Sequence, residues 1–153
     1  LMFRKLVANK GVNFAELMKR IDQTIQIAYS TDELKPYGDA VKAAKDSLED
    51  VVEYLLKQAQ SGDNLTLYAK ACPFLEAMGD VILGWLHLWQ LTIAHPRLQA
   101  PGSKKKDSAF YYGKVAGAQF FIDTLLRRTT GKIEELKSDA GPVINIFDKS
   151  FSG

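Results

Sequence analysis

From Leu65 to Ala94 the sequence carries more apolar surface than a helix on the outside of a small domain needs. Tyr68, Cys72, Leu75, Gly79, Ile82, Leu86, Trp89 and Ile93 recur at steps of three and four, which lines them along one side of an α-helix. From Val81 onward Leu83, Trp85, Leu88 and Leu91 make the flanks apolar as well. A helix greasy on most sides is either the centre of a fold or a membrane span. Met78 to Ala94 is shorter than the roughly 20 residues a span requires, and it contains Asp80, His87 and Gln90. The segment therefore reads as a central helix, with no membrane association expected. Pro73 should kink it in its first third, and His95-Pro96 should end it, because a residue before proline avoids the α region.

The rest of the chain supplies helices for it to pack on. Asn13 is placed to cap a first helix whose apolar face runs Phe14, Leu17, Met18, Ile21, Ile25, Ala28 and Tyr29. Thr31 or Asp32 can cap a second, which tolerates Pro36 in its first turn. Leu34, Tyr37, Val41, Ala44, Leu48, Val51 and Leu55 form a narrow seam along it, and Ser61-Gly62-Asp63 ends it. Asp63 or Asn64 can start the central helix. After a loop, Ala100 to Lys106, Asp107 or Ser108 caps a fourth helix from Ala109 to about Arg127. A shorter piece, Lys132 to Lys137, precedes Gly141-Pro142 and an apolar tail, Val143 to Phe151. No strand-like alternation of useful length and no internal repeat interrupts this pattern. The expected fold is all-α: an up-down four-helix bundle with a short extra C-terminal helix. Residues 1–12 read as the tail of an upstream linker or helix, and 13–153 as one helical-bundle domain.

At 153 residues such a domain can bury a core without disulfide or metal, and one cysteine, Cys72, cannot close an intrachain disulfide. A cytoplasmic location is expected. Lys and Arg number 20 against 18 Asp and Glu, which lacks the basic excess of a nucleic-acid binder. The opening Leu1-Met2 fits a piece of a longer protein better than a natural start.

Residues that could carry chemistry read mostly as structure. His87 and His95 have no carboxylate at the spacing a di-iron bundle uses, and no two-His, one-carboxylate set is apparent, so no metal site is expected. Cys72, on the apolar stripe, reads as a small hydrophobe. Trp85 and Trp89, one turn apart, read as packing rather than a ligand shelf. Gly79 and Gly84 are mid-helix, where glycine costs about 1 kcal/mol relative to alanine, so a close backbone approach is expected to offset it. Gly113 and Gly117 share a face of the fourth helix, and the expected contact is with Gly84. Glu76, Asp80 and Lys114 are charges set in apolar helices, so Lys114 is expected to pair with Glu76 or Asp80. Lys104 to Lys106 read as a solvated turn.

Three segments together resemble the extra C-terminal domain of one branch of the acyl-CoA dehydrogenases, the branch that includes methylthiopropanoyl-CoA dehydrogenase-like enzymes. One runs from Pro73 to Trp85, with Pro-aromatic-Leu and two glycines five residues apart, Gly79 and Gly84. Another is Phe110-Tyr111-Tyr112-Gly113-Lys114 followed by Ala118-Gln119-Phe120-Phe121. The third, Leu1 to Leu6, is similar to the segment that leads out of the flavin-binding part. Phe3 stands where the family commonly has glycine, and Arg128 where it often has proline.

The resemblance implies a parent that oxidises acyl-CoA thioesters to 2-enoyl-CoA, with FAD taking the hydride. It implies that the catalytic glutamate and the flavin contacts lie upstream, since the Tyr-Glu-Gly-Thr stretch is absent here. No catalytic, cofactor-binding or metal residue is therefore carried onto this chain. The implied partners are the upstream dehydrogenase domains of the same chain, in a parent that forms a homo-oligomer. A free-standing interaction module, docking a partner through Val143 to Phe151 or a groove beside Trp85, is the alternative.

Overall fold

The structure, a computed structural model, describes Leu6, residues 11–99 and residues 105–151. The expected segment Leu1 to Leu6 lies outside them apart from Leu6, and so does most of the loop before Lys105. The described residues are helical almost throughout, with no strand among them. The fold is all-α.

Helix α1, Val12–Tyr29, buries Met18, Ile21, Ile25 and Ala28, which is the face its spacing picked out. It starts one residue before Asn13. The residue ahead of it is Gly11, whose φ of 82° lies in the left-handed region that glycine enters without a Cβ penalty. A 3-10 turn, Asp32–Leu34, precedes α2, Lys35–Gln60, and Pro36 sits in the first turn of α2 as expected. Gly38 lets α2 close on α1, since a Cβ there would lie 2.9 Å from the Tyr29 ring. Val41, Leu48, Val51 and Leu55 are fully buried, so the seam read from the sequence is the packed one.

The expected central helix is two helices. Asp63 caps the short α3, Asn64–Ala69, by accepting the Thr66 N–H at 3.1 Å. The chain then turns at Lys70 and restarts as α4, Ala71–Gln99. Pro73 causes a break here, where a kink was expected. Its ring crowds the carbonyl four residues back and it has no N–H to offer, so the helix restarts with proline in the first turn. Lys70, only 6% exposed, holds the joint by donating to the Glu135 carbonyl at 2.8 Å and to Ser138 Oγ at 3.0 Å. Pro96, by contrast, does not end α4. It removes one hydrogen bond near the last turn, and Leu98, packed against the core, holds that turn helical.

The fourth helix is longer and less regular than its spacing suggests. It is helical from Lys105, ahead of the expected caps, and α5 ends at Phe120. A π turn, Phe121–Leu125, and a 3-10 turn, Leu126–Arg128, lead directly into α6, Thr129–Lys137. The expected separate piece at Lys132 is thus the end of one rod. The Thr124 hydroxyl donates to the Phe120 carbonyl inside the widened turn. Val115, Ala118, Ile122, Leu126, Thr129, Ile133 and Leu136 make the buried edge of this rod. Helix α4 is central, touching α1, α2, α5 and α6. A single turn, α7, Gly141–Ile144, packs against α3.

Candidate functional site

The charges embedded in the apolar helices meet at the α4–α6 contact, with a different partner from the expected one. Lys132 Nζ lies 2.7 Å from Asp80 Oδ2 and 3.7 Å from Glu76, and the Thr129 hydroxyl donates to the same Asp80 oxygen at 3.2 Å. The hydrogen bond to Asp80 holds the Lys132 ammonium above the ordinary lysine range, against a small loss from burial. Lys114 is exposed, with its ammonium 5.6 Å from the centre of the Phe110 ring. Its backbone carbonyl, not its charge, ties α5 to α4 by accepting from Gln90 Nε2 at 2.7 Å. Only the packing of α6 on α4 selects Lys132.

Two further polar groups escaped the sequence reading. Lys45, only 6% exposed, lies 2.7 Å from Asp22 and 3.3 Å from Glu49. Burial pulls its pKa down, but the bonds to Asp22 and Glu49 outweigh that and leave it raised. Thr24 accepts the Trp85 indole N–H at 2.8 Å, which fixes Trp85 against α1. An i,i+4 Lys45–Glu49 pair was readable from spacing; the Asp22 partner, on another helix, was not.

None of the four glycines makes the expected approach to a facing glycine, and only Gly84 lies against another element, through a side chain. A Cβ on Gly84 would meet the Leu126 methyls at 2.9 Å, whereas Gly79, Gly113 and Gly117 have nothing within 4 Å. The tight point is therefore Gly84 against Leu126, beyond the π turn.

The most consequential correction concerns α4 itself. Its inward face is Phe74, Ala77, Val81, Gly84, Leu88, Leu91 and Ala94. The stripe picked out by its spacing points outward: Leu75, Leu86, Trp89 and Ile93 are 41 to 65% exposed, and Cys72 is exposed as well. Trp85 and Trp89 stack with ring centres 6.3 Å apart, Trp85 against the core and Trp89 on the outer face. Beside them a groove of about 300 Å³ is lined by Leu86, Trp89, Ile93, Phe110 and Tyr111, with Gln90 and Lys114 at its polar edge. A second groove, about 370 Å³, runs between α2 and the rod over Ala40, Ala44 and Ser47.

His87 is half-buried with its ring 4.5 Å from that of Phe121, and burial together with nearby Lys114 lowers its pKa. No cluster of three His, Cys, Asp or Glu able to hold a metal occurs among the described residues. None of their helices is long and apolar enough to cross a membrane. The described residues offer an exposed apolar surface along α4.

Residues 17–146 match the family model described as acetyl-CoA dehydrogenase C-terminal like. The chain belongs to this family. It is similar to the broad-specificity linear acyl-CoA dehydrogenase FadE5 of Mycobacterium tuberculosis, with 29% identity over 155 aligned positions. The match takes in 97% of this chain and 25% of the relative, so this C-terminal-like domain spans about a quarter of the relative's length. The domain's described residues do not fit an FAD. The cofactor's pyrophosphate calls for clustered cations or free backbone N–H groups, and the groove beside Trp89 is apolar but for Gln90 and Lys114. In the other groove Arg127 is drawn 3.7 Å from Asp123.

Proposed function

We propose that this chain is the accessory C-terminal domain of an FAD-dependent acyl-CoA dehydrogenase and acts by packing on the catalytic body. The family match over residues 17–146 carries the reading. It is supported by a domain that presents an apolar face and holds its helices together with partly exposed ion pairs. In the parent, FAD held outside this chain would supply hydride acceptance for the conversion of an acyl-CoA to its 2-enoyl-CoA. The finer placement, in the methylthiopropanoyl-CoA dehydrogenase-like branch, rests on the Pro73–Trp85 and Phe110–Phe121 segments. A cytoplasmic, homo-oligomeric parent is part of the same reading.

The test compares the full-length polypeptide with the 153-residue chain. The full-length protein is expected to show a flavin spectrum that an acyl-CoA bleaches under anaerobic conditions, and the chain alone to be colourless and inert. Flavin bound stoichiometrically by the chain alone would overturn the division of labour. A full-length protein without flavin would overturn the dehydrogenase reading.

A further inference from the structure

Helix α4 carries two seams on nearly opposite sides. The inner one, Phe74, Ala77, Val81, Gly84, Leu88, Leu91 and Ala94, is filled by the other helices of this domain. The outer one, Cys72, Leu75, Gly79, Ile82, Leu86, Trp89 and Ile93, alternates steps of three and four without a break. That period of 3.5 residues is the spacing that keeps one side of a helix against a second helix along its length. From Leu75 to Ile93 the outer seam extends about 27 Å at the α-helical rise. It interposes no charged residue between those ends. With Phe110 of α5 alongside, the seam presents five large apolar side chains that are each 41 to 65% exposed.

We infer that this outer seam is the surface on which the domain docks to the catalytic body of its own polypeptide, through a helix of that body lying along α4. The inference rests on the reading given under Proposed function and adds the face and its geometry. Over Gly79 no atom of the described residues lies within 4 Å of where a Cβ would be, so the space there is open. The groove over Leu86, Trp89 and Ile93 accepts a projecting apolar side chain, and Lys114 at its edge can meet a carboxylate beside it.

A body in the same chain is favoured over a second copy for a quantitative reason. The relative places three quarters of its length outside the matched region. A tethered body therefore meets the seam at an effective concentration on the order of millimolar, which a free second copy does not reach.

Hydroxyl-radical footprinting of the full-length polypeptide and of the 153-residue chain, both at low micromolar concentration, tests this. Leu86, Trp89 and Phe110 should be modified at least five-fold less in the full-length protein. Leu86→Glu with Ile93→Glu should return Trp89 in the full-length protein to the reactivity it has in the chain alone. The same pair should leave the isolated chain's Tm within a few degrees, since both side chains are exposed there. Equal modification of the three residues in both proteins, with flavin retained in the longer one, would overturn the docking face and leave the dehydrogenase reading intact. Protection already present in the isolated chain and rising with its concentration would overturn it in favour of a second copy. Protection in a flavin-free full-length protein would support the face and overturn the dehydrogenase reading.

Discussion

Gly84 faces Leu126 so closely that a Cβ would sit 2.9 Å from both of its terminal methyls. Leu126 is 3% exposed and borders the groove between α2 and the rod, so a new Cβ would force its methyls to repack. The contact is the tightest approach among the described glycines of α4.

Gly84→Ala should therefore lose stability even though alanine is the better helix former. A propensity gain of about 1 kcal/mol is set against overpacking of about 1–3 kcal/mol. Gly79→Ala, with nothing near its Cβ position, should gain about 0.5–1 kcal/mol in the isolated chain. Urea midpoints of the two variants should move in opposite directions, and movement in the same direction would contradict the Leu126 contact.

Asp80 gathers two donors, Lys132 and Thr129, at the α4–α6 contact. Asp80→Ala should cost about 1–2 kcal/mol by leaving both without their acceptor. A double-mutant cycle with Lys132→Met should give a coupling of about 0.5–1 kcal/mol, because the pair is only partly shielded from water. Lys114→Met should change stability by less than about 0.5 kcal/mol. A larger effect at Lys114 than at Lys132 would refute this assignment of partners.

Lys70→Met keeps the aliphatic stem and removes the ammonium that donates to the Glu135 carbonyl near the end of α6. The expected cost is about 1–3 kcal/mol, from a charge-assisted hydrogen bond and a favourable charge lost at a helix C-terminus, while the carbonyl keeps the Ser138 N–H and hydroxyl. Hydrogen exchange should quicken at residues 133–138. An unchanged exchange profile there would show that water replaces the ammonium without loss.

Stability should fall in mild acid through His87. Burial and Lys114 depress its folded-state pKa below the ordinary 6.5, so the unfolded chain takes up a proton first as pH drops. The native contribution is complete above pH 6.5 and is lost as pH falls from there through the folded value. His87→Phe, which keeps an aromatic ring on Phe121, should flatten the dependence of Tm on pH between about 5 and 7. A slope unchanged from the parent chain would assign the acid sensitivity to other groups.

How legible the molecule was depended on whether a choice was local. Asp63 as a cap, Pro36 in a first turn and the seams of α1 and α2 depend on neighbours within a few residues, and each reads directly from spacing. The expected kink at Pro73 failed because the same proline chemistry serves equally well in the first turn of a new helix. Pro96 failed because Leu98 has packing that a rule about local dihedrals does not include. The rod from α5 to α6 read as separate pieces because a π turn adds a residue to the helical repeat and blurs the three-and-four spacing across residues 121–125.

The sequence by itself determined the helical class, the central place of α4 and the family, since periodicity and residue order are properties of one chain segment at a time. Which side of α4 faces inward was decided only by the tertiary structure. Both seams of that helix have the same period and similar apolarity, so neither side is preferred until α1, α2 and the rod are packed on it together. Lys132 was chosen over Lys114 in the same way, by where α6 lies against α4.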